Sequence, residues 1–504
     1  MDPLFDFVIR RVDISVISNQ RWFGAKAEVP RGFTVSDYAV FPAARGEGRI
    51  VLACLEFEGA GRYFVPIELA EAGTCVHGPI YATARGPWGD VVAADAAGSP
   101  GYVEALAQQM ESGGNVAAKY GRFEFRGIGS PPRWRIMQVS DTHTNSLVGA
   151  SRASVFKTFR RMVPGINPDV EIGAALAEHT SFRETSTVEG EASYIDPSGA
   201  RFSIAVRQAF VDHLGDLWGL LAPELHEVFG KVARGDHGNP LAPGPPWMWG
   251  CEERFVQLGQ VVARLHAALA SVPAKGFGSH PVSVALLRSF LSRMEERLDA
   301  TVRAIRCAGG GARCELERQC RWVLENEGII RTVMARITSA QGYLGQVIRC
   351  HGDLHLGQVL ATASGFAIVD FEGEPLASLE ERRMPSSPLR DVAGMLRSLN
   401  YAAESAILSL GTDEPRMDAA RAAAFGWEAS ARRAFLTGYF GGLEQTGNAR
   451  LVPAGAARDL ILHLFELEKA LYELRYEINN RPDWVMIPLR GVKTSLARVG
   501  GGAT

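Results

Sequence analysis

Three side chains in one short stretch carry the chemistry this sequence suggests. Asp353 sits inside His351-Gly352-Asp353-Leu354-His355, Gln358 follows five residues later, and a short apolar run, Phe366 to Val369, delivers Asp370. An aspartate in a tight loop suits the acceptance of a proton from an attacking hydroxyl. An amide oxygen and a second carboxylate suit Mg²⁺, a hard cation that completes its shell with phosphate oxygens. Base, amide and carboxylate in this order are the parts needed for phosphoryl transfer to a hydroxyl. A surface turn with chance histidines would explain the first motif alone, but not Asp370 and its apolar flank at this distance.

The rest of the composition fits an enzyme that works in water. The chain has 504 residues, 46% hydrophobic and 22% charged, which is room for two or three globular domains. A net charge of −3 gives no reason to expect nucleic acid or an anionic membrane as partner. No run reaches the ~18 apolar residues of a spanning helix, and the opening MDPLFDFVIRR lacks the pattern of a secretion signal. A cytoplasmic location with access to ATP is the expectation, and the sequence leaves the oligomeric state open. Seven scattered cysteines make a disulfide framework a poor reading. Cys307, Cys314 and Cys320 lack paired C-x-x-C spacing, so packed thiols fit better than zinc.

The motif HGDLH, the amide five residues after its Asp, and the following I-V-D-F resemble the aminoglycoside phosphotransferase branch of the protein kinase-like enzymes. The longer run DFEGEP, ERR and SPLRDVAGMLRS resembles the bacterial maltokinases, which phosphorylate maltose at C1, and a related group of actinobacterial kinases that act on glucosamine. Gln358 stands where that branch often has Asn; it is longer but presents the same carbonyl oxygen. The resemblance implies an α+β, bilobal protein kinase-like fold with a β-rich N-terminal cap and a large, mainly helical C-lobe. It also implies ATP and Mg²⁺ as cofactors and a small sugar as the substrate.

Three parts are expected along the chain. Residues 1–118 read as the cap, with paired strands at 50–57 and 63–67 around Glu58-Gly59-Ala60-Gly61 and a helix near Tyr102 to Gln109. Its element Arg21-Trp22-Phe23 reads as a core anchor with a stacked cation, rather than a ligand contact. Residues 119–211 read as the nucleotide-binding lobe. Its loop, Ser140 to Ser146, has no glycine but is rich in Ser, Thr and Asn, so Ser140, Thr144 and Ser146 could offer hydroxyls and N–H groups to phosphate. Lys157 is the candidate phosphate lysine. Glu171, in the first turn of the helix after Asn167-Pro168-Asp169, either holds that lysine or only complements the helix dipole. By fold analogy, the backbone at Gln208, Phe210 and Val211 would meet the adenine edge.

Residues 212–504 read as the helical lobe with the catalytic loop and sugar pocket. A Gly/Pro-rich loop at 235–246 separates helical regions. Phe255 to Leu269, Pro281 to Cys307 and Arg313 to Tyr343 have helical periodicity, and His266 reads as packing beneath the catalytic loop. Pro388 followed by Leu389, Val392, Met395 and Leu396 marks another helix, with Arg390 and Asp391 as ion-pairing supports. In the implied mechanism Asp353 is the base, Gln358 and Asp370 hold Mg²⁺, and His355 either contacts sugar or supports Asp353. Glu372, Arg390 and Tyr472 are the other candidate sugar contacts. Maltose is the first acceptor reading, glucosamine the second and an aminoglycoside the third. A nucleotide-binding module without transferase activity is the alternative from another class.

Overall fold

The computed structural model describes residues 2–24, 30–42, 49–129, 136–141, 145–150, 154–235, 252–307, 313–339, 344–375, 377–411 and 416–500. The chain divides into two compact units, Met1–Glu178 with Thr185–Asp212, and His179–Glu184 with His213–Thr504.

The first unit begins with two short helices, α1 (Pro3–Ile9) and α2 (Ile14–Ser18), and an antiparallel sheet of β1 (Phe33–Pro42), β2 (Arg49–Phe57), β3 (Gly61–Glu71), β4 (Ile80–Gly86) and β5 (Gly89–Asp95), in the order β1-β2-β3-β5-β4. The expected hairpin is β2–β3; Gly59 and Gly61 take φ of 73° and 87° at its turn, a region open to glycine at little cost. Both faces of β2 are covered, so it reads as a continuous apolar run rather than an alternation. Val51, Ala53 and Leu55 pack with Phe5, Trp22 and Phe23. Ile50, Leu52 and Cys54 pack with Tyr102 and Leu106 of α3 (Pro100–Ser112).

A seven-stranded antiparallel sheet follows, made of β6 (Asn115–Ala117), β7 (Arg122–Gly127), β8 (Ile136–Asp141), β9 (Asn145–Ala150), β10 (Ser154–Phe159), β11 (Val188–Ile195) and β12 (Arg201–Ala209), with α4 (Pro168–His179) between β10 and β11. Its order is β6-β7-β11-β12-β10-β9-β8. Lys157 therefore lies on an interior strand, opposite Val206 on one side and Leu147 on the other.

Two buried carboxylates tie this unit together. A register shift after Val35 accompanies the burial of Asp37, which accepts from Tyr194 Oη at 2.7 Å and from the backbone N–H of Gly121 at 2.8 Å. Asp95 accepts from Arg160 Nη2 at 2.8 Å and from Tyr81 Oη at 2.5 Å. The Arg160 guanidinium also lies 4.6 Å from the centre of the Trp22 ring. Trp22 and Phe23 are thus core anchors, as expected, but the described cation over Trp22 comes from Arg160 just past β10. Arg21 beside it in sequence is exposed.

The second unit is mainly helical. It contains β13 (Gly215–Asp216), α5 (Leu217–Arg234), α6 (Glu252–Ser271), β14 (His280–Pro281), α7 (Val284–Cys307), α8 (Arg313–Glu325), α9 (Glu327–Ser339) and β15 (Gln346–Val347). After these come β16 (Val359–Ala361), β17 (Phe366–Ile368), α10 (Leu379–Arg383), α11 (Leu389–Ser409), α12 (Met417–Gln445), α13 (Gly455–Asn480) and α14 (Met486–Gly500). The single helix expected from Arg313 onward is two helices. The break falls at Asn326, whose side chain donates to the Trp322 carbonyl at 2.8 Å, a local bond that competes with helix continuation. Helices α6 and α12 approach closely because Gly259 faces the Phe435 carbonyl and Gly438 faces the Val256 carbonyl; a Cβ at either glycine would collide with backbone.

The Asp95 lock makes a stability prediction. Asp95→Ala should cost about 3 kcal/mol, because a guanidinium buried at Arg160 loses a carboxylate partner. Chemical denaturation of the two proteins measures it, and a loss below ~1 kcal/mol would show that Asp95 does not hold Arg160 in place.

Candidate functional site

The loop that carries Asp353 is fixed from both ends and from beneath. On its approach, Ile348 and Ser386 exchange backbone hydrogen bonds at 3.0 and 2.9 Å. Gly352 turns the chain at φ 86°. Asp391, in the first turn of α11, is fully buried and accepts from the N–H of His351 at 2.8 Å and of Gly352 at 2.9 Å. Its Oδ2 also meets His266 Nε2 at 3.1 Å, and His266 Nδ1 meets Tyr439 Oη at 2.9 Å. Burial pushes the Asp391 pKa up, but the His266 bond and the loop's N–H groups outweigh it and hold the pKa below its ordinary value. His266 thus packs beneath the loop, as expected. Asp391 supports the loop through backbone N–H groups, where ion pairing was the expectation.

Two histidines complete the loop. His351 Nδ1 lies 3.3 Å from the Asp353 N–H and its Nε2 lies 3.0 Å from the Val369 carbonyl, which sets the proton on Nε2. His355 caps the 3-10 turn Leu356–Gln358 by accepting from the Gly357 N–H at 3.1 Å. Burial lowers its pKa, so the ring is neutral and its Nδ1 serves as an acceptor. This bond supports the turn that leads to Gln358.

Gln358 and Asp370 come together across the hairpin of β16 and β17. Val359 pairs with Ile368, and the Val369 N–H donates to the Gln358 carbonyl at 3.0 Å. Gln358 Nε2 then donates to Asp370 Oδ2 at 3.0 Å. Among the described residues Asp370 is the one non-glycine with positive φ, 67°. A side chain held there costs on the order of 1–2 kcal/mol, a strain characteristic of functional positions. The donor set, one amide oxygen and one carboxylate on adjoining side chains, fits Mg²⁺.

Asp353 itself meets a cation that sequence reasoning missed. Lys469 of α13 donates to Asp353 Oδ1 at 2.8 Å and to Glu374 Oε1 at 3.1 Å. Burial alone would lower the lysine's pKa, but the two carboxylates reverse this and raise it. Glu374 is buried and also meets Arg390 Nη2 at 3.3 Å and both Nη atoms of Arg297. Burial opposes its ionisation, yet the charges of Lys469, Arg297 and Arg390 hold its pKa well below the carboxylate range. Arg390, expected at the sugar, is therefore bonded to Glu374. The Tyr472 ring lies 4.8 Å from Lys469 Nζ and 5.2 Å from the Arg297 guanidinium, and burial pushes its hydroxyl up to about 12. Glu372 is half-buried, and its carbonyl accepts from Arg382 at 3.1 Å.

In the first unit, Lys157 Nζ donates to Asp169 Oδ2 at 2.9 Å, with both groups buried. Asn167 accepts from the Asp169 N–H at 2.9 Å, which fixes the first turn of α4. The sequence reading offered Glu171 as this lysine's partner or as a complement to the helix dipole; the structure brings Asp169, two residues earlier in the same turn, against the lysine, a contact that reading did not name. Gln208 is buried near the end of β12, and Phe210 and Val211 follow that strand. Ser140 lies on β8 and Ser146 on β9, while Thr144 lies outside the described residues.

This architecture matches solved kinases. One solved glucosamine kinase, in complex with glucosamine, ADP and inorganic phosphate, superposes with a TM-score of 0.62 at 22% identity, covering 95% of this chain and 98% of the other. A second crystal form of glucosamine kinase gives 0.64 at 21% identity, with the same coverage. The fold is the α+β, bilobal protein kinase-like fold, with a β-rich N-terminal part and a mainly helical C-terminal part.

The sequence is related to the same group. It is 31% identical over 232 residues to a glucosamine kinase of Streptacidiphilus jiangxiensis, covering 46% of this chain and 47% of the relative. The figure is 31% over 231 residues for a glucosamine kinase of Mycolicibacterium smegmatis, at 46% and 50%. The matched stretch spans about half the length of these relatives. Residues 17–98 match the family model described as the maltokinase N-terminal cap domain.

Two measurements test the loop's support. Asp391→Ala should raise the exchange rates of the His351 and Gly352 amides about tenfold or more, the equivalent of ~1.4 kcal/mol per lost bond; unchanged rates would remove Asp391 from this role. Asp391 and Glu374 titrate below their ordinary 3.8 and 4.5. The stability they confer is complete above those values and is lost as pH falls through the lowered ones. The thermal midpoint should decline gently as pH falls below about 6.5, where the lowered pKa of buried His355 disfavours the folded state, and more steeply below about pH 4, where these carboxylates protonate.

Proposed function

We propose that this chain is an ATP-dependent sugar kinase. The observation that carries the reading is Asp370, held at a strained backbone conformation with its carboxylate against Gln358, directly after the hairpin that follows the Asp353 loop. In this reading residues 1–118 form a cap, 119–211 the nucleotide-binding part, and 212–504 the part that holds base and sugar. Gln358 and Asp370 would hold Mg²⁺, which supplies neutralisation of phosphate charge when bound. Lys157, anchored by Asp169, steadies phosphate oxygens. Asp353 takes the proton of the acceptor hydroxyl on Oδ2, while Lys469 fixes Oδ1 and thereby the plane of the carboxylate. Most of the acceleration comes from this positioning and from fixed charge. Among the described residues no helix is long and apolar enough to cross a membrane.

The acceptor reading turns on which carboxylates are uncommitted. An amino sugar calls for an acidic partner for its ammonium. Glu374, the carboxylate nearest Lys469 besides Asp353, is bonded to Lys469, Arg297 and Arg390. This supports a neutral sugar, with maltose as the first choice, and the maltokinase-type cap agrees. Glucosamine is the second reading, favoured by the relatives and the solved neighbours.

ADP release measured with ATP and Mg²⁺ against maltose, glucosamine, glucose and an aminoglycoside tests both. Turnover is expected with maltose and should fall by about 10²–10⁴-fold in Asp353→Ala. Turnover with glucosamine alone would move the acceptor and keep the mechanism. ATP binding with no transfer to any of the four would overturn the sugar-kinase reading in favour of a binding module.

A further inference from the structure

A second site lies in the C-terminal unit, away from the residues discussed so far. Helices α12, α13 and α14 line an open cavity of about 430 Å³, within the size range of small-molecule sites. Four guanidinium groups line it: Arg432 and Arg433 from α12, Arg458 from α13 and Arg498 from α14. The carboxylates in its lining are Glu428 and Asp459, with Glu466 behind them.

The charges of this cavity are unevenly matched. Glu466 is buried and accepts from Arg432 Nη2 at 2.6 Å and from His463 Nδ1 at 2.9 Å. Arg498 reaches the same carboxylate only at 3.8 Å, beyond hydrogen-bond distance. Burial, and after it the charge of Arg432, lowers the Arg498 pKa, although Glu466 and Glu428 act the other way. Arg433 is 3.8 Å from Glu252 and largely exposed. Arg458 lies against its neighbour Asp459 at 3.1 Å, and its guanidinium sits 4.4 Å from the centre of the Phe440 ring. That stacking fixes the plane of the guanidinium before any ligand arrives.

The remaining walls are apolar. Phe425, Leu436, Phe440 and Leu462 face the cavity, and Phe425 is 71% exposed, an unusual position for a phenylalanine unless something covers it. Guanidinium groups in excess favour an anion that accepts several N–H bonds at once, as a phosphate does. The aromatic and aliphatic walls favour an organic body on that phosphate.

We propose that this cavity is a binding site for a small organic phosphate, with Arg458 and Arg498 on the phosphate and Phe425 and Phe440 on the organic body. The proposal is independent of the sugar-kinase reading. Phenyl phosphate carries both features and serves as the probe, with inorganic phosphate and phenol as its two halves. Calorimetric titration of the full chain should show phenyl phosphate binding at least tenfold more tightly than either half, and more weakly as salt rises. The double variant Arg458→Gln/Arg498→Gln, whose side chains are partly exposed, should weaken binding tenfold or more at an unchanged thermal midpoint. Asp370→Asn should leave it unchanged. Absence of phenyl phosphate binding, equal binding by phenol, or binding lost in Asp370→Asn but kept in the double variant would each overturn the proposal.

Discussion

One buried carboxylate organises the candidate site. Asp391 has two oxygens and gives one to each of two consecutive backbone N–H groups, those of His351 and Gly352. A loop that turns through a glycine at positive φ exposes such groups, and in a dry interior they need an acceptor. Had the acceptor been neutral, the bonds would be weaker; a carboxylate makes them charge-assisted. The carboxylate must in turn stay ionised while buried, and His266, itself held by Tyr439, secures that. The place of Asp353 therefore depends on residues of α6, α11 and α12, and the close approach of α6 and α12 at Gly259 and Gly438 bears on this loop as well as on packing.

Around Asp353 the charges form a closed set. Lys469 bridges Asp353 and Glu374; Arg390 and Arg297 share Glu374, and Arg297 reaches Glu468 at 3.0 Å. Burying so many charges is tolerable only where each has an opposite neighbour, and removing one member strands the others. The arrangement holds the Asp353 carboxylate in one orientation. It also means that Lys469 has a fixed position rather than the freedom of a surface lysine.

The parts of this design that follow local rules were legible in the sequence. The apolar run Phe366 to Val369 contains a strand that leads into Asp370, and Pro388 with Leu389, Val392 and Met395 marks α11. The double coverage of β2 shows as an unbroken apolar run. What the sequence left open depends on distant partners. Lys469 looks like one charge among many on an amphipathic helix, because its partner Asp353 is 116 residues away. Asp169 and Glu171 share one helical turn, and the contact of Asp169 with Lys157, 12 residues away, is set by how the chain folds back rather than by local pattern. The cation over Trp22 arrives from Arg160, although Arg21 is its neighbour in sequence.

The strain at Asp370 and the charge on Lys469 are two solutions to the same difficulty. The proposed phosphoryl transfer needs carboxylates that are aimed although no substrate holds them. Asp370 is aimed by backbone conformation, with the hairpin of β16 and β17 and the Gln358 amide opposing relaxation. Asp353 is aimed by a cation, which leaves its backbone unstrained but places a positive charge beside the acceptor hydroxyl. A cation there disfavours an incoming ammonium close to the base and tolerates a hydroxyl. Under the proposed function, the residue at 469 would therefore bear on acceptor choice through the charge it sets beside Asp353.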